Sequence, residues 1–574
     1  MRHTLIRLIA FCLVFIAPVS ALAESDVPVS QLIVFVAKKI ITMEHSVPTA
    51  RAVAVTDGKI VAVGTLDSLN GWIEEKGAYI DRRFENDVIM PGFIDPHVHP
   101  SLPAILTQFP FIAPDDWSLP TGEFPAAKSR QDYLEKLHGY VKAHGNSGVP
   151  FVTWGYHPLW HGEIYRNDLN ALFPDQPVIL WHRSFHELIG NDAAFRMLSV
   201  TEADVSGKAG VDWEKGHFWE NGALILVKKM PFIFDQSRYE KGLGNFLAML
   251  RQAGVTTALD MGTGIFGNAA AEAALIGKIA KNKRIPARIL LTPIITDFLQ
   301  RGVSIPDALK EVSEWNNSNS SQVMFTRHFK LMLDGAIYSG LAQFGFPGYK
   351  DGHEGVWMVP LETTLKWAQA FWNQGYQIHA HANGDLSTER LINIVRHLQN
   401  EKPRLDHRTT LEHFAYATED QIHQLKVLGI LVSGNPYYQY MLSDLYADAW
   451  LGEDRARKMV PFGSVERSGA PFAFHSDCPM APLNPLVLVS TAVNRVTING
   501  NENIISERVS LDAALRAITI NAAWILGWEN EIGSLRAGKR ADMVVLDQDP
   551  YKVKPEKLKD IRVLATIFEG EAVY

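Results

Sequence analysis

The chain has 574 residues, of which 47% are apolar and 21% are charged. These fractions are typical of a large globular protein and exclude a disordered chain, a collagen and a coiled coil. The formal net charge is −8 and no block of basic residues occurs, which argues against a nucleic-acid partner.

The first residues have the pattern of a signal peptide. Arg2 and Arg7 precede the apolar run LIAFCLVFIAPVSALA, which ends in small residues at Ala21 and Ala23. This pattern predicts a signal peptide over residues 1–23, cleaved near Ala23, and a bacterial protein that is periplasmic or secreted. No membrane association is expected after cleavage. A retained N-terminal helix is the alternative.

Both ends of the chain are rich in short β-type runs. The stretch AVAVTDGKIVAVG places two such runs around Asp57-Gly58, a pair typical of a hairpin turn. Near the other end, ADMVVLD and IRVLATIFEGEAVY are similar runs. We therefore expect residues 24–90 and 530–574 to build one small β-sandwich beside the main body.

Between these ends, short apolar runs alternate with longer amphipathic stretches. Eight runs have the length and composition of buried strands, and helical patterns separate most of them. The alternation predicts an α/β fold, a (β/α)8 TIM-like barrel over residues 91–99 and 241–529. The eight predicted strands cover residues 88–98, 255–261, 287–294, 328–333, 376–381, 409–414, 429–434 and 471–477.

Residues 100–240 interrupt this alternation and are rich in Trp, Phe and Pro. A structureless loop of that length is implausible in a compact protein, so we expect a large insertion after the first strand, a subdomain over the active site. Within it, Tyr156, His157 and Trp160 are candidates to line an apolar substrate pocket. Packing inside the insertion's own core is the alternative for these side chains.

Ionisable side chains fall at the ends of the predicted strands. They are His97 and His99 in the first strand region, Lys330 in the fourth, His379 and His381 in the fifth, His413 in the sixth and Asp477 in the eighth. In a barrel the carboxyl ends of the strands meet at one mouth, where active sites lie. Residues i and i+2 of a strand share a face, so both members of a His-x-His pair can face one ion. Imidazole with carboxylate suits zinc and similar cations, so the pattern predicts a metal site.

Several motifs resemble the amidohydrolase superfamily, and within it the amidohydrolase-3 branch of YtcJ-like proteins related to N-substituted formamide deformylase. The motifs are GFIDPHVHP, HANGD, the EH of LEHF, HSDCP and GSLRAGKRADMVVLD. The resemblance covers nearly all of residues 40–550. It implies a metallo-dependent hydrolase barrel with one or two divalent ions, which we expect to be Zn²⁺.

The resemblance also implies roles for individual residues. Those that match the family's metal ligands are His97, His99, His381, His413 and Asp477. Lys330 matches a lysine that is carboxylated to bridge two metals, and a lysine paired with Asp334 is the alternative. His186 matches a histidine of the insertion that can hydrogen-bond the substrate or its oxyanion, and a structural polar contact is the alternative.

Two positions depart from the family's pattern. Asn383 replaces an apolar residue, and His475 replaces a glycine. Neither change removes a ligand. His475 brings a bulkier, ionisable group near the metal, so it is a further candidate for substrate binding.

These inferences predict an exported metal-dependent amidohydrolase that hydrolyses a C–N bond of a small-molecule amide, N-acyl or N-formyl substrate. A divalent cation lowers the pKa of its bound water toward about 7, and Asp477 is the candidate base that takes the proton and passes it to the leaving nitrogen. The alternatives are a deaminase or cyclic-amide hydrolase on the same fold and a non-catalytic exported binding protein. The sequence does not determine the substrate or the oligomeric state. A homodimer is one candidate.

Overall fold

The computed structural model describes residues 31–283 and 285–573. The predicted signal peptide, residues 1–23, lies outside these ranges. No helix within them is long and apolar enough to span a membrane. Apolar side chains of the described residues form one large buried cluster and several smaller ones.

Eight parallel strands occupy the middle of the fold, at or near the positions that the sequence predicts. They are Phe93–Val98 (β1), Val255–Thr263 (β2), Arg288–Pro293 (β3), His328–Met332 (β4), Gln377–Ala382 (β5), Thr410–His413 (β6), Leu431–Gly434 (β7) and Phe472–Phe474 (β8). One sheet contains β1, β2 and β3, and the short strand Val323–Phe325 pairs with β3 at its edge. A second sheet contains β4 to β8 in order. Nearly all residues of these strands are buried, as expected for parallel strands covered by helices.

Two contacts link the two sheets. Ile294, directly after β3, forms a parallel bridge to Lys330 of β4. On the other side, the N–H of Asp477, just beyond β8, donates to the carbonyl oxygen of His97 in β1 at 3.0 Å. These contacts bring residues that lie far apart in the chain to the same end of the strands.

Helices separate the strands along the chain. After β2 they are Ala269–Lys283, Ile295–Arg301, Ile305–Trp315, Leu361–Asn373, Asp385–Glu401, Glu419–Leu428, Tyr437–Ala449, Glu453–Arg457, Phe462–Ser468, Pro485–Asn494, Leu511–Ala517 and Ile520–Ile525. The helix before β7 shows how local chemistry sets the ends. The Thr418 hydroxyl accepts from the Gln421 N–H at 3.2 Å, and Gly429 ends the helix at φ 70°, so that β7 can begin two residues later.

The two chain ends share one eight-stranded sheet. Its strands are Ile33–Ile41, Thr49–Thr56, Lys59–Gly64, Tyr79–Asp81, Val88–Pro91, Met543–Leu546, Val563–Phe568 and Glu571–Val573. The hairpin predicted around Asp57-Gly58 is present. Antiparallel pairing of Met543–Leu546 with Val88–Pro91 joins the C-terminal strands to the N-terminal ones. The shared sheet agrees with the expected union of both ends, and its description as a sandwich stays a prediction.

One predicted strand, residues 88–98, is two strands. Val88–Pro91 belongs to the terminal sheet, and β1 begins at Phe93. Between them, the N–H of Gly92 donates to the carbonyl oxygen of Asp542 at 2.9 Å, and a Cβ at Gly92 would lie 2.3 Å from Thr256 Oγ1. The prediction of a single strand is wrong because the apolar run continues across Gly92, so only tertiary contacts mark the break.

The segment between β1 and β2 has a sheet and a core of its own. Its strands are Trp117–Leu119, Gly122–Phe124, Phe151–Tyr156, Val178–His182, Glu187–Gly190, Val211–Asp212 and His217–Trp219, and the last five form one sheet. Its helices are Ser101–Leu106, Arg130–His144, Pro158–His161, Arg166–Leu172, Asp192–Met197, Glu202–Val205, Asn221–Lys228 and Gln236–Gln252. Tyr133 and Leu137 of one helix pack with Phe151 and Val178 of the sheet.

A buried ion pair ties the terminal sheet to the parallel strands. Arg288 begins β3, and its Nη2 lies 3.2 Å from Asp542 Oδ1 and 3.0 Å from Glu569 Oε1. The Arg288 side chain is fully buried, and its guanidinium lies 4.6 Å from the centre of the Phe568 ring. Removing the cation would leave the Asp542 carboxylate buried without its partner.

We expect Arg288→Ala to lower the free energy of unfolding by about 3–5 kcal/mol, because breaking a buried pair leaves an uncompensated charge. Urea unfolding followed by fluorescence measures the change. Arg562→Ala is the matched control, since Arg562 pairs with Asp547 at 2.9 Å but is 76% exposed. That control should change stability by no more than about 1 kcal/mol. Equal effects of the two substitutions would contradict the expectation.

Candidate metal centre

The carboxylate of Asp477 lies among three of the predicted histidines. Its Oδ1 lies 3.3 Å from His99 Nε2 and 3.5 Å from His97 Nε2. Its Oδ2 lies 3.4 Å from His413 Nδ1. These side chains come from β1, β6 and the segments directly after β1 and β8, and all but His99 are almost inaccessible to solvent. The structure therefore brings four of the predicted ligands together.

Left-handed backbone conformations occur at this cluster. The φ angle is 77° at His413, 55° at Phe414 and 51° at Asp477. Residues other than glycine rarely adopt such angles, and those that do are concentrated at functional sites. In this conformation the N–H of Asp477 donates to the carbonyl oxygen of His97, and the Asp477 carboxylate lies beside His97 and His99.

A second buried carboxylate, Glu412, lies behind the histidines. Its Oε2 lies 2.8 Å from His97 Nδ1, and its Oε1 lies 2.6 Å from His379 Nδ1. An ionised carboxylate only accepts hydrogen bonds, so with Glu412 ionised the proton of each ring is on Nδ1, and Nε2 is left free to bind a cation. The sequence did not single out Glu412, because neighbours in a regular strand point to opposite faces. The positive φ at His413 interrupts that alternation.

Asp260 is a further carboxylate that the sequence analysis missed. It lies in β2, and its Oδ1 is 3.7 Å from His99 Nδ1. Burial acts to lower the pKa of His99, but Asp260 and Asp477 raise it to about 9. Without a cation, His99 thus carries a proton that offsets the charge of Asp477, and a bound cation would displace that proton.

His475 lies inside the histidine cluster and not in a substrate pocket. Its Nδ1 lies 2.8 Å from the Ser433 hydroxyl, and its ring centre lies 4.5 Å from that of His97. The side chain is fully buried. His475 joins His97 and His413 in one group of potential ligand atoms that lie within 4.8 Å of one another, and His97, His99 and Asp477 form a second group.

His381 lies beside these groups. Its ring centre lies 4.2 Å from that of His413. Its Nε2 lies 2.9 Å from Asn383 Nδ2 and 3.4 Å from the carbonyl oxygen of Gly335. Asn383, the departure noted in the sequence, therefore contacts the predicted ligand directly.

Lys330 reaches the same region from β4. Its side chain is buried, and its Nζ has no hydrogen-bond partner among the described residues. Burial lowers the pKa of Lys330 to about 8, against the attraction of Glu412 and Asp477. The alternative of a pair with Asp334 is not seen, because Asp334 accepts hydrogen bonds from the N–H groups of Gln343, Asn383 and Gly384 and from the Ser387 hydroxyl.

The donor atoms of this cluster fit a divalent cation. Within the described ranges, the Nε2 atoms of His97, His413 and His475 are buried and have no hydrogen-bond partner. Leaving a buried polar atom unpaired costs about 1–3 kcal/mol, and a cation would satisfy several at once. Burial, with the charge of Lys330 nearby, holds the pKa of His97 well below its usual value, so its ring is neutral as metal binding requires. Imidazole nitrogen and carboxylate oxygen are the ligands of zinc and related ions.

The cluster forms the floor of a cleft of about 1110 Å³. His99, Lys330, His381, His413 and Asp477 all line it. Apolar side chains dominate the walls, and they include Trp181, Phe185, Leu224, Phe266, Met332 and Met480. A substrate can therefore reach the ionisable groups from a mostly apolar cleft.

The three aromatic candidates of the insertion do not line this cleft. The Tyr156 hydroxyl donates to the carbonyl oxygen of Gly162 at 2.8 Å inside the insertion's core. His157 Nε2 lies 3.0 Å from the carbonyl oxygen of Tyr338, and Trp160 packs against the main apolar cluster. Tyr156 packs in the insertion's own core, whereas His157 contacts the main body and Trp160 packs against the main apolar cluster, and none of these contacts supports a direct role in substrate binding.

His186, in contrast, does line the cleft. Its Nδ1 lies 2.7 Å from Glu220 Oε2, and its side chain is 29% exposed. The insertion thus contributes an imidazole to a cleft whose other ionisable groups come mainly from the parallel strands.

The profile of the amidohydrolase family (Amidohydro_3) matches residues 85–574. The chain belongs to the amidohydrolase family. The putative amidohydrolase YtcJ of Bacillus subtilis (strain 168) is 24% identical over 93% of this chain and 98% of its own length. The N-substituted formamide deformylase of Arthrobacter pascens is 24% identical over 92% of this chain and 95% of its own. The family resemblance of the motifs is thereby confirmed.

A solved structure shares the fold of this amidohydrolase. It is an uncharacterized metal-dependent hydrolase from Pyrococcus horikoshii OT3, which is 19% identical, has a TM-score of 0.69 and covers 92% of this chain and 99% of its own. The histidine cluster of this chain contains groups of side chains that could bind a metal ion.

We expect the purified amidohydrolase to contain a divalent metal that a chelator removes, and His97→Ala to contain little of it. Glu412→Gln should weaken metal binding about 10–100-fold, because it replaces one of the two oxygens that face His97 and His379 with an NH2 donor and removes the negative charge. Elemental analysis and titration of the metal-free protein measure both effects. His353→Ala is the control, since His353 pairs with Asp351 and does not line the cleft. Unchanged metal content in His97→Ala would contradict this assignment.

Proposed function

We propose that this chain is an exported, metal-dependent amidohydrolase that hydrolyses the C–N bond of a small-molecule amide. The observation that carries the proposal is the Asp477 carboxylate, which lies 3.3–3.5 Å from three histidine nitrogens at the floor of an open cleft. A binding protein would not require a carboxylate at that position. Export rests on the signal-peptide pattern of residues 1–23.

The fold supports a single catalytic mouth. We infer that the two parallel sheets close into a (β/α)8 barrel, because Ile294 and Lys330 pair at one junction and Asp477 and His97 at the other. In such a barrel the carboxyl ends of the strands converge on the catalytic end. The terminal sheet and the insertion then lie outside the barrel as two further units.

The ligands of the ion are assigned from the donor set. We propose that His97, His99, His381, His413 and Asp477 hold one or two divalent cations, Zn²⁺ by preference for nitrogen and carboxylate ligands. The chemistry supplied there is a lowered pKa for water, toward about 7, and a polarised carbonyl group.

Asp477 is the proposed general base. Burial acts to raise its pKa, but the bonds from His413 and His99 lower it well below the usual value, so it is ionised at neutral pH. Asp477 takes a proton from the attacking water as the new C–O bond forms. It returns that proton to the leaving nitrogen as the C–N bond breaks, which releases a carboxylic acid and an amine.

The cleft favours neutral substrates with an apolar group. Among the described residues that line it, no arginine occurs and Lys330 is the one lysine. A substrate carboxylate would therefore lack the bidentate guanidinium partner that usually binds such a group. Apolar walls that include Trp181, Phe185 and Phe266 suit an aromatic or aliphatic acyl or amine substituent.

Hydrolysis of a panel of formamides, N-acyl amines, anilides, N-acyl amino acids and cyclic ureas tests this function. We expect cleavage of neutral amides, and Asp477→Asn should lower kcat/KM by about 10²–10⁴-fold while the protein stays folded. Asp406→Asn changes an exposed carboxylate beside Arg408 and should leave the rate unchanged. Equal rates for wild type and Asp477→Asn would reject Asp477 as the base. Release of ammonia from amino-substituted rings would favour a deaminase.

Lys330 is the proposed site of a carbamate. Its unpartnered Nζ, as a neutral amine, would add carbon dioxide and lose one proton, and the resulting carbamate would place two oxygens that share one negative charge beside the histidines. We expect Lys330→Ala to lose activity and part of the bound metal, and a short-chain carboxylate such as acetate or propionate to restore some of both. Lys366→Ala, at an exposed helix position, is the control. Unchanged rate and metal content in Lys330→Ala would exclude a bridging role.

A further inference from the structure

His186 and Glu220 form a pair across two neighbouring strands of the insertion. Glu187–Gly190 and His217–Trp219 are antiparallel, and Glu187 lies opposite Trp219. The register places His186 just before one strand and Glu220 just after the other. There the N–H of Glu220 donates to the carbonyl oxygen of His186 at 2.8 Å, and Glu220 Oε2 lies 2.7 Å from His186 Nδ1. The pair is held by both backbone and side chain.

Glu220 has a conformation that is costly for a residue with a side chain. Its φ and ψ angles are 49° and −120°, a region that residues other than glycine rarely adopt. The carboxylate is 7% exposed, and its Oε1 has no hydrogen-bond partner among the described residues. A buried, strained and half-satisfied carboxylate is poor for stability, so the stability of the fold does not explain this side chain.

The His186 ring connects this carboxylate to the cleft. Its Nδ1 faces Glu220, the ring is 29% exposed, and both residues line the cleft that contains Asp477 and Lys330. Burial acts to lower the pKa of His186, but Glu220, Asp477 and Glu187 raise it above its usual value. His182 and His381 are the other titratable groups that interact with it.

We propose that Glu220 is a positioning residue that holds His186 with both ring nitrogens protonated, so that Nε2–H donates to the carbonyl oxygen of the amide in the cleft. This inference rests on the proposed function and goes beyond it, because it assigns a role to Glu220, which fixes the orientation and the protonation of His186. The carbonyl oxygen gains negative charge as water attacks, and a fixed donor stabilises that charge more than it stabilises the bound substrate. His186 is then the catalytic residue, and Glu220 acts through it.

Kinetics of Glu220→Gln and His186→Ala test the proposal on the best neutral amide of the panel. We expect His186→Ala to lower kcat by about 10²–10³-fold, as for the loss of an oxyanion donor. Glu220→Gln should lower kcat about tenfold or more with KM little changed, since the donor acts in the transition state. Asp351→Asn, a carboxylate-to-amide change beside His353 outside the cleft, should match wild type. Wild-type kcat in Glu220→Gln would overturn the proposal.

The pH dependence separates positioning from a merely structural role. A protonated His186 is available only below its pKa, so activity should fall as pH rises through that value. Glu220→Gln removes the neighbouring charge, lowers the pKa and should shift this loss to lower pH. If Glu220→Gln loses activity at the same alkaline pH as wild type, Glu220 does not act through the protonation of His186, and the proposal is overturned. A metal content lower than that of wild type would show that Glu220 acts on the metal centre and would also overturn it.

Two measurements do not depend on turnover. NMR of ¹³C-labelled histidine, with His186→Gln to assign the signal, should show His186 titrating above free histidine in wild type and lower in Glu220→Gln. If His186 titrates at the same pH in both proteins, the inference is overturned, even when no amide is cleaved. If the titration of His186 shifts as expected but no amide is cleaved, only the proposed function is rejected. Glu220→Gly relieves the strained backbone conformation. We therefore expect the Glu220→Gly protein to unfold at the wild-type temperature or above and to lose activity. A lower unfolding temperature would indicate a structural role for Glu220 and overturn the proposal.

Discussion

Burial of several imidazole nitrogens around one carboxylate is the constraint on which the rest of the site depends. Asp477 can lie beside His97, His99 and His413 only because its own N–H bonds to the carbonyl oxygen of His97 and so joins the last parallel strand to the first. The bare Nε2 atoms inside this cluster are costly until a cation binds them. The hydrogen bond between Asp477 and His97 therefore links the two sheets and also brings together the buried ring nitrogens that a cation would stabilise.

Carboxylates placed behind the histidines organise this cluster. Glu412 lies against the Nδ1 atoms of His97 and His379, and Asp260 lies near that of His99. At His97 and His99 this leaves Nε2 facing Asp477, and each carboxylate supplies negative charge that a cation would balance. The His186–Glu220 pair repeats this arrangement in the insertion, where we propose that the other ring nitrogen contacts the substrate.

The three parts of the chain contribute different things to the site. The parallel strands and the segments directly after them supply the proposed ligands and the proposed base, which a rigid arrangement of buried backbone holds in place. The insertion supplies apolar walls and His186, so it can adjust substrate choice without disturbing the metal centre. The terminal sheet supplies no lining residue, and the buried Arg288–Asp542 pair attaches it to β3. Substrate differences within the family can then arise mainly in the insertion.

The sequence by itself predicted the approximate positions of the eight parallel strands and the candidate ligands, because apolar runs and the placement of His, Lys and Asp at strand ends are local features. It also determined the family, through motifs spread along the chain. Only the tertiary structure decided which side chains meet. Glu220 has a positive φ angle of its own, and Glu412 precedes the positive φ of His413. Tyr156 packs in the insertion's core, whereas His157 contacts the carbonyl oxygen of Tyr338 outside the insertion. Backbone strain and contacts between distant segments leave no periodic trace, so no single-sequence pattern could show them.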